Sequence, residues 1–203
     1  MDKMSTTHPT TIAGLVIMGG QNKRMNGNHK AFLKLGNDTF LYHIVHALSP
    51  CHSIYLSVDQ RDKFSHLTLP LIEDYYEAIG PLGGLYSALK EVPQDYLFVT
   101  ACDMPFITRD FVSYMLSQLH TDTECVVLCD ESGFFYPLGA LYSKSLIPKI
   151  ESMIKDQNYR MQYLIKLAKS RVIPISETPF SKSLLRNVNT PEDYEACLKD
   201  ISC

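Results

Sequence analysis

The stretch IAGLVIMGG, residues 12–20, decides the fold of this chain. Its first seven residues form a nearly unbroken apolar run, which is typical of a strand that is covered on both faces of a sheet. Gly19 and Gly20 then free the backbone at the end of that strand, so that its N–H groups can approach a ligand. Arg24 and Lys30 follow in a polar segment and supply two cations. Together these features predict a strand that opens into a phosphate-binding loop.

The spacing of the glycines excludes the two commonest phosphate loops. The chain contains no G-x-x-x-x-G-K-[ST], and the glycines at positions 19, 20 and 27 do not form G-x-G-x-x-G. Neither a P-loop nucleoside triphosphatase nor a dinucleotide-binding protein is therefore supported. On these residues alone, an ordinary glycine turn with solvated basic side chains stays open as the alternative.

The size and composition of the chain are those of an ordinary globular protein. Its 203 residues suit one α/β domain, which we expect at residues 11–203 after a flexible terminus at residues 1–10. The hydrophobic fraction of 45% and the charged fraction of 20% exclude disordered and fibrous classes. A net charge of −3 argues against nucleic acid as a partner, because such proteins need a basic surface.

The sequence predicts neither a membrane segment nor a disulfide framework. The first ten residues lack the apolar core of a secretory signal, and the apolar run of the first strand is far too short to span a bilayer. We therefore expect no membrane partner and a cytoplasmic location. The six cysteines are even in number, but a chain of this length does not need disulfides. Cys125 and Cys129 lack the further ligands of a zinc site and are interpreted as small buried apolar residues.

Hydrophobic periodicity and turn residues predict the remaining elements. The expected strands are 53–58, 69–72, 96–101, 125–129, 134–142 and 172–175. The expected helices are 40–48, 85–92, 108–119, 147–155, 161–167 and one that begins at Pro191. Pro137 leaves open whether the segment 134–142 is a plain edge strand.

Asp74 stands just past the short apolar segment 69–72. In parallel α/β sheets, ligands gather at the carboxyl ends of the strands. A carboxylate at that place can accept two hydrogen bonds from the N1–H and exocyclic N2–H₂ of guanine. A solvated loop carboxylate is the alternative.

The segment GPLGG, residues 80–84, predicts a rigid turn before a helix. Pro81 fixes one φ angle while the glycines free their neighbours, which leaves N–H groups exposed. The N-terminus of a helix beside such glycines attracts an anion through its dipole and its unpaired donors. A plain turn at the start of a helix is the alternative.

The segment CDMP, residues 102–105, ends the clearest buried strand after the first one. Asp103 lies at the tip of that strand, and Pro105 forces the residue before it into an extended shape. An acid at such a tip is where a Mg²⁺ ion that bridges phosphate oxygens would be held. Because Mg²⁺ takes only one or two protein carboxylates, a lone aspartate suffices. The alternative is that Asp103 caps the next turn.

The segment NVNTPED, residues 187–193, predicts the start of the last helix. Thr190 is a good N-cap residue and Pro191 a good first helical residue, and two acids complement the helix dipole. Helix initiation does not explain Asn187 and Asn189.

Four segments resemble, in order, the motifs of the nucleotidyltransferases related to molybdenum cofactor guanylyltransferase. The segment at residues 19–30 resembles G-G-x-x-x-R-M-x-x-x-x-K, and the other three resemble G-P-x-x-G, the metal-binding aspartate with its proline turn, and N-V-N-T-P-x-[DE]. Met18 is a departure, since the family usually has alanine there. The resemblance implies an α/β fold with a Rossmann-like mixed, mostly parallel sheet and helices on both faces, of the nucleotide-diphospho-sugar transferase type.

The resemblance also implies a role for each matching residue. The implied catalytic residues are Arg24, Lys30 and Asp103, and Asp103 is also the implied metal ligand. The implied nucleotide contacts are Ile17, Met18, Gly19, Gly20, Lys30, Ser57, Asp74, Gly80 and Asp103. The implied contacts with a second substrate are Gly84, Asn187 and Asn189.

The reaction that the resemblance implies is the transfer of GMP from GTP to the terminal phosphate of molybdopterin in its molybdenum-bound form, with Mg²⁺ as cofactor. Its products are molybdopterin guanine dinucleotide and pyrophosphate. Molybdoenzyme chaperones or other cofactor-biosynthesis proteins are expected partners. One alternative is a cytidylyltransferase or sugar-phosphate nucleotidyltransferase, and another is a noncatalytic GTP-binding partner of molybdoenzyme maturation.

Overall fold

The computed structural model describes residues 10–18, 24–25 and 28–201. The predicted nucleotide contacts Gly19 and Gly20 lie outside this part of the chain, and so does the side chain of Arg24. Most of the terminus that we expect to be flexible also lies outside it. The division of the chain into a terminus and a single domain therefore stays a prediction.

Seven strands of the described chain form one mixed sheet, and two pairs of two-residue strands lie beside it. In chain order, β1 to β11 are Ile12–Ile17, Arg24–Met25, Asn28–His29, Lys34–Leu35, Asp38–Thr39, Ser53–Val58, Leu71–Glu73, Tyr96–Ala101, Cys125–Cys129, Phe135–Ser143 and Ser170–Pro174. The large sheet has the order β11-β9-β10-β8-β1-β6-β7. Only the two pairs that β10 makes within it are antiparallel. The predicted mostly parallel sheet is confirmed.

Helices of the described chain cover both faces of this sheet. In chain order, α1 to α6 are Phe40–Ala47, Pro81–Glu91, Arg109–Ser117, Ile147–Lys155, Met161–Leu167 and Pro191–Ile201. Short 3-10 helices lie at Lys30–Phe32, Arg61–Phe64, Lys144–Leu146, Ile175–Glu177 and Lys182–Leu185. Buried residues of α1 and α3 pack on one face, and those of α2, α4 and α5 pack on the other. None of the helices in the described chain has the length and apolar character needed to cross a bilayer.

The strand β1 lies between β8 and β6, and all six of its residues are buried. Because successive side chains of a strand point to opposite faces, Leu15 packs on the α2 side and Val16 on the α1 side. A Cβ on Gly14 would lie 3.0 Å from Leu48 Cδ1. The missing side chain at Gly14 therefore lets the end of α1 pack directly on the strand.

Most predicted elements are confirmed, and the differences lie at their ends. The helix predicted at 85–92 begins instead at Pro81, because the GPLGG segment is itself part of the first turns of α2. The strand β7 lies at Leu71–Glu73 rather than 69–72. Pro70 has no N–H to donate to a ladder, although its carbonyl oxygen accepts a hydrogen bond from Leu56 N at 3.0 Å.

The prediction that β10 is a plain edge strand, which was one of two alternatives, is wrong. This strand lies inside the sheet, between β9 and β8. Its pairing with β9 shifts register between Tyr136 and Leu141, and Gly139 within that shift has φ +78°. Pro137 is accommodated at this irregularity, where ladder hydrogen bonds are interrupted.

Within the described chain, Cys51, Cys125 and Cys129 are free thiols. Cys125 and Cys129 are both buried in β9, as predicted. Burial raises the pKa of Cys125 to about 12, so this thiol stays protonated and unreactive at neutral pH.

Candidate active site

A cleft of about 530 Å³ lies at the edge of the sheet where its parallel strands end. It is bounded by residues at or just after the carboxyl ends of β1, β6, β7 and β8, by the start of α2, and by the antiparallel strand β10. The described residues that line it are Ile17, Asp59, Gln60, Asp74, Glu77, Ala78, Ile79, Gly80, Pro81, Ala101, Asp103, Leu138 and Asn187. The topology of a mostly parallel sheet places a ligand cleft at this edge.

Five residues that the sequence singled out meet in this cleft. They are Ile17, Asp74, Gly80, Asp103 and Asn187. They come from distant parts of the chain, and the order of the strands brings them together. Their contacts with a nucleotide or a second substrate stay predictions.

The carboxylate of Asp74 lines the cleft and is held by a buried serine of β6. Ser57 is fully buried in β6, and its hydroxyl donates a hydrogen bond of 2.7 Å to Asp74 Oδ1. A Cβ added to Gly84 would lie 2.3 Å from Ser57 Oγ and 3.4 Å from Asp74 Oδ1. Gly84 therefore has a packing role inside α2, where it allows the helix to approach Ser57. The contact of Gly84 with a second substrate stays a prediction.

The backbone at Gly80 shapes the rim beside Asp74. Gly80 precedes α2 with φ +66° and ψ −154°, a region of backbone conformation that is essentially restricted to glycine. Pro81 occupies the first turn of this eleven-residue helix, where its missing N–H costs nothing. The N-terminus of α2 thus faces the cleft and favours negative charge there.

Asp103 also lines the cleft, two residues beyond β8. It is 8% exposed, and its carbonyl oxygen accepts a hydrogen bond of 2.8 Å from Val188 N. Val188 is fully buried against Leu35 and Phe40. The segment that contains Asn187 is therefore fixed beside Asp103 by one backbone hydrogen bond and one buried side chain.

Lys30 lies on the same side of the molecule as Asp103. Its side chain is almost wholly buried, and Lys30 Nζ donates a hydrogen bond of 2.8 Å to Asn189 Oδ1. Asn189 follows Val188, which is bonded to Asp103. The lysine and the aspartate are therefore joined through the two consecutive residues Val188 and Asn189. Neither Lys30 nor Asn189 is among the residues that line the cleft.

His29 connects the two ends of the predicted phosphate-binding loop. Its Nε2 lies 3.1 Å from the carbonyl oxygen of Met18, the last described residue before the loop. Its Nδ1 accepts a hydrogen bond of 3.3 Å from Ala31 N, so Nε2 carries the proton that is donated to Met18. Met18 is itself buried, and its N donates to Ser57 O at 2.8 Å. Met18 therefore contributes through its backbone rather than by an exposed side chain.

The described part of the cleft is acidic. Asp59, Asp74, Glu77 and Asp103 line it, and no lysine or arginine of the described chain does so. Burial raises the pKa of Asp59, but the Lys63 ammonium at 2.6 Å more than offsets this and lowers the pKa below its usual value. Asp59 is therefore ionised at neutral pH.

The two predicted ligand groups, Asp74 and Asp103, line the cleft at the ends of strands that are not neighbours. Asp74 follows β7 and Asp103 follows β8, with β1 and β6 between these strands. Three steps of about 4.8 Å between neighbouring strands place the carboxylates on the order of 14 Å apart. This separation suits an elongated ligand whose two ends have different chemistry.

The chemistry of the donor set fits Mg²⁺ better than a metal that needs a protein cage. In the described chain, no group of three or more His, Cys, Asp or Glu side chains lies close enough to hold a metal ion. A Zn²⁺ site of the usual kind would need such a group. Mg²⁺ needs only one or two carboxylates and otherwise takes water and phosphate oxygens. Asp103 provides a hard oxygen donor of that kind.

Sequence reasoning missed several residues of the lining. Asp59 and Gln60 follow β6 directly, and Ala101 ends β8, so the rule that ligands gather at strand ends would have found them. Glu77, Ala78 and Ile79 carry no such signal in the sequence. They reach the cleft because the loop between β7 and α2 folds over it.

Comparison with known proteins identifies the family. Residues 14–172 match the model of a family described as the MobA-like NTP transferase domain. The chain belongs to this family. The family consists of nucleotidyltransferases, so the chain is an enzyme of that class, as predicted, and the noncatalytic alternative is not favoured.

Curated relatives match this chain over almost their whole length, and their descriptions agree with the family. A probable molybdenum cofactor guanylyltransferase of Clostridium perfringens strain 13 is 33% identical over 189 residues, which cover 91% of this chain and 94% of the relative. A probable molybdenum cofactor guanylyltransferase of Carboxydothermus hydrogenoformans is 30% identical over 190 residues, covering 92% and 95% of the two chains. The predicted resemblance is confirmed.

A solved structure shares the fold. The molybdopterin-guanine dinucleotide biosynthesis protein A of Archaeoglobus fulgidus superposes with a TM-score of 0.78 at 20% sequence identity, covering 94% of this chain and 98% of that one. At this identity the likeness concerns the fold alone. It confirms the predicted fold class of the family.

Proposed function

We propose that this enzyme transfers GMP from GTP to the terminal phosphate of molybdopterin in its molybdenum-bound form, releasing pyrophosphate. One observation carries the proposal: two carboxylates, Asp74 and Asp103, line the same cleft and follow strands that are three positions apart in the sheet. The family assignment and the names of the relatives support the choice of substrates.

The guanine base belongs at the Asp74 end of the cleft in this proposal. A carboxylate can accept hydrogen bonds from N1–H and N2–H₂ of guanine together, whereas cytosine and uracil do not present that pair of donors. The phosphates then extend towards Asp103 and Lys30. Lys30 and Arg24 would supply positive charge to the phosphates, and both roles stay predictions.

Asp103 is the residue that would hold Mg²⁺. Asn187 and Asn189 are nearby, because they flank Val188, which is hydrogen-bonded to Asp103. When bound, the ion would neutralise charge on the phosphate oxygens, which the acidic lining of the cleft otherwise repels. The buried Lys30 ammonium adds a second positive charge on the same side.

Positioning accounts for most of the catalysis that this site can provide. The attacking group is a phosphate monoester, which is already an anion at neutral pH, so no strong general base is needed. In this proposal Asp74 binds the base and Asp103 lies near the phosphates, and both residues follow strands of one sheet. Holding both reactants in line and neutralising their charge lowers the barrier.

Release of pyrophosphate tests the proposal. The wild-type enzyme is incubated with molybdopterin, Mg²⁺ and each of the four nucleoside triphosphates in turn, and pyrophosphate is measured. We expect release with GTP and not with CTP or UTP. Release with CTP or UTP instead would favour the cytidylyltransferase or sugar-phosphate alternative, and binding of GTP without release would favour the noncatalytic alternative.

A variant of Asp103 tests the metal ligand. Asp103→Asn removes one charge from the cleft, and we expect it to lower kcat by at least about a hundredfold while the far-UV circular dichroism stays unchanged. Asp110→Asn is the matched control, because Asp110 is an exposed acid in the first turn of α3 that does not line the cleft. Full activity of Asp103→Asn would remove Asp103 from the mechanism.

Two expectations about the cellular setting stay predictions. They are the cytoplasmic location and the association with molybdoenzyme chaperones or other cofactor-biosynthesis proteins.

A further inference from the structure

We propose that Ser57 is a positioning residue that sets the preference for guanine by orienting Asp74, and that it does not touch the nucleotide. The inference rests on the proposed function, because it takes Asp74 as the residue that binds the base. It replaces the direct nucleotide contact that the family resemblance implies for Ser57.

The burial of Ser57 separates it from the cleft. Its exposed fraction is 0%, and it does not belong to the lining of the cleft. On one side β1 pairs with it through Ile17, and on the other β7 pairs with it through Ile72. Gly84 covers it from α2, where a single added carbon would lie 2.3 Å from the hydroxyl oxygen. A nucleotide therefore cannot reach this hydroxyl without moving a helix.

The hydroxyl of Ser57 has a different partner. It donates a hydrogen bond of 2.7 Å to Asp74 Oδ1, and Asp74 does line the cleft. Because a hydrogen bond to a carboxylate is strong and directional, it fixes the rotation of the carboxylate plane. Ser57 thereby acts on the ligand through Asp74.

Two further hydrogen bonds hold the loop that carries Asp74. Asp74 N donates to Val58 O at 3.0 Å, and Tyr75 N donates to Ser87 Oγ at 2.8 Å. These bonds fix the backbone of the loop, whereas the bond from Ser57 fixes the carboxylate itself. Ser57 and Ser87 are both fully buried, and each bonds to one of two consecutive residues. The chain therefore contains a matched pair of serines with separable roles.

The orientation of the carboxylate matters most for guanine. The base presents N1–H and N2–H₂ side by side, so both bonds form only when the two oxygens of Asp74 lie in the plane of the base. Hypoxanthine lacks the exocyclic amino group and can form only the first bond. The ratio of the affinities for GTP and ITP therefore reports the second bond, which depends on the orientation of the carboxylate.

The experiment measures the Kd values of Mg²⁺–GTP and Mg²⁺–ITP for the wild type, Ser57→Ala, Ser87→Ala and Asp74→Asn. We expect the wild type to prefer GTP by about tenfold, which corresponds to one hydrogen bond to a charged group. Ser57→Ala should lower this ratio to about threefold or less, with a smaller change for ITP than for GTP. Ser87→Ala should leave the ratio unchanged, although it removes an equally buried hydroxyl.

Two additional variants separate the loss of the hydrogen bond from a general effect of the substitution on folding. Ser57→Cys keeps a side chain of similar size with a weaker donor, and it should give an intermediate ratio even if Ser57→Ala folds poorly. Ser57→Ala added to Asp74→Asn should cause no further change in the ratio, because the carboxylate on which Ser57 acts is already absent.

The outcomes separate the inference from the proposed function. An unchanged GTP/ITP ratio in Ser57→Ala, or an equal loss in Ser87→Ala, overturns the role of Ser57 while the preference for GTP stands. A wild type that does not prefer GTP over ITP lacks the second bond and also overturns the inference, whereas pyrophosphate release with CTP or UTP instead of GTP overturns the proposed function itself.

Discussion

The hydrogen bond between Lys30 and Asn189 joins two segments that are 159 positions apart in the sequence. Lys30 is 2% exposed, so its ammonium cannot exchange this acceptor for bulk water while its side chain stays in place. Asn189→Ala removes the acceptor at 2.8 Å. We therefore expect this substitution to destabilise the protein and to do so through Lys30.

The size of the effect follows from the surroundings of the two side chains. A hydrogen bond to a charged group contributes ~1.5–3 kcal/mol to stability. Asn189 itself is exposed, so water can enter the space left by its amide and restore part of the lost interaction. We therefore expect the lower end, a decrease of about 1.5 kcal/mol in the free energy of unfolding. For a chain of this size that corresponds to a decrease in Tm of roughly 3–6 °C.

The assay is urea unfolding followed by circular dichroism, in a double-mutant cycle with Lys30→Met. Asn189→Ala should lower the free energy of unfolding by about 1.5 kcal/mol in the wild type and by close to zero in the Lys30→Met background. Asn187→Ala is the matched control, because Asn187 is an exposed asparagine that faces the cleft, and it should change stability by less than about 0.5 kcal/mol. An equal cost of Asn189→Ala in both backgrounds would refute the reasoning.

Two further predictions concern backbone strain and acid stability. Gly80→Ala should lower the free energy of unfolding by about 1–3 kcal/mol and raise the KM for GTP, because φ +66° is strained for alanine. The strain comes from the backbone alone, since an added Cβ would meet no described atom within 4 Å. Gly36→Ala, at a similar φ of +65° away from the cleft, should lower stability and leave KM unchanged, and an unchanged KM in both would contradict the prediction. The backbone N–H of Thr11 lowers the pKa of Asp95, so the stability that this carboxylate adds is present above about pH 4 and is lost as the pH falls through its folded-state pKa. Urea unfolding of Asp95→Asn and the wild type should therefore show a difference at pH 6 that shrinks by pH 2, and a constant difference would show that Asp95 has no such role.

The sequence predicted elements well where a local pattern carries the physical cause. The strands Tyr96–Ala101 and Cys125–Cys129 were predicted to the residue, because buried strands read as continuous apolar runs between turn residues. Thr108 and Thr190 were similarly informative, since a threonine hydroxyl at each helix start accepts a backbone N–H. Such signals lie within a few residues of their effect.

The candidate site was predictable only in part. Asp74 and Asp103 could be placed because each follows an apolar strand, and the ends of parallel strands meet at one edge. The packing role of Gly84 was not predictable, since it depends on how closely α2 approaches β6. The burial of Lys30 was not predictable either, because its acceptor, Asn189, lies 159 positions away in the chain.

The sequence by itself determined which segments are strands and helices, which family the chain belongs to, and which acids stand at strand ends. The tertiary structure alone decided which side chains act together: Ser57 with Asp74, and Lys30 with Asn189. The physical reason is the range of the forces involved. Periodicity, capping and turn chemistry act between near neighbours in the chain, whereas a hydrogen bond under 3 Å between distant residues exists only after the layers have packed.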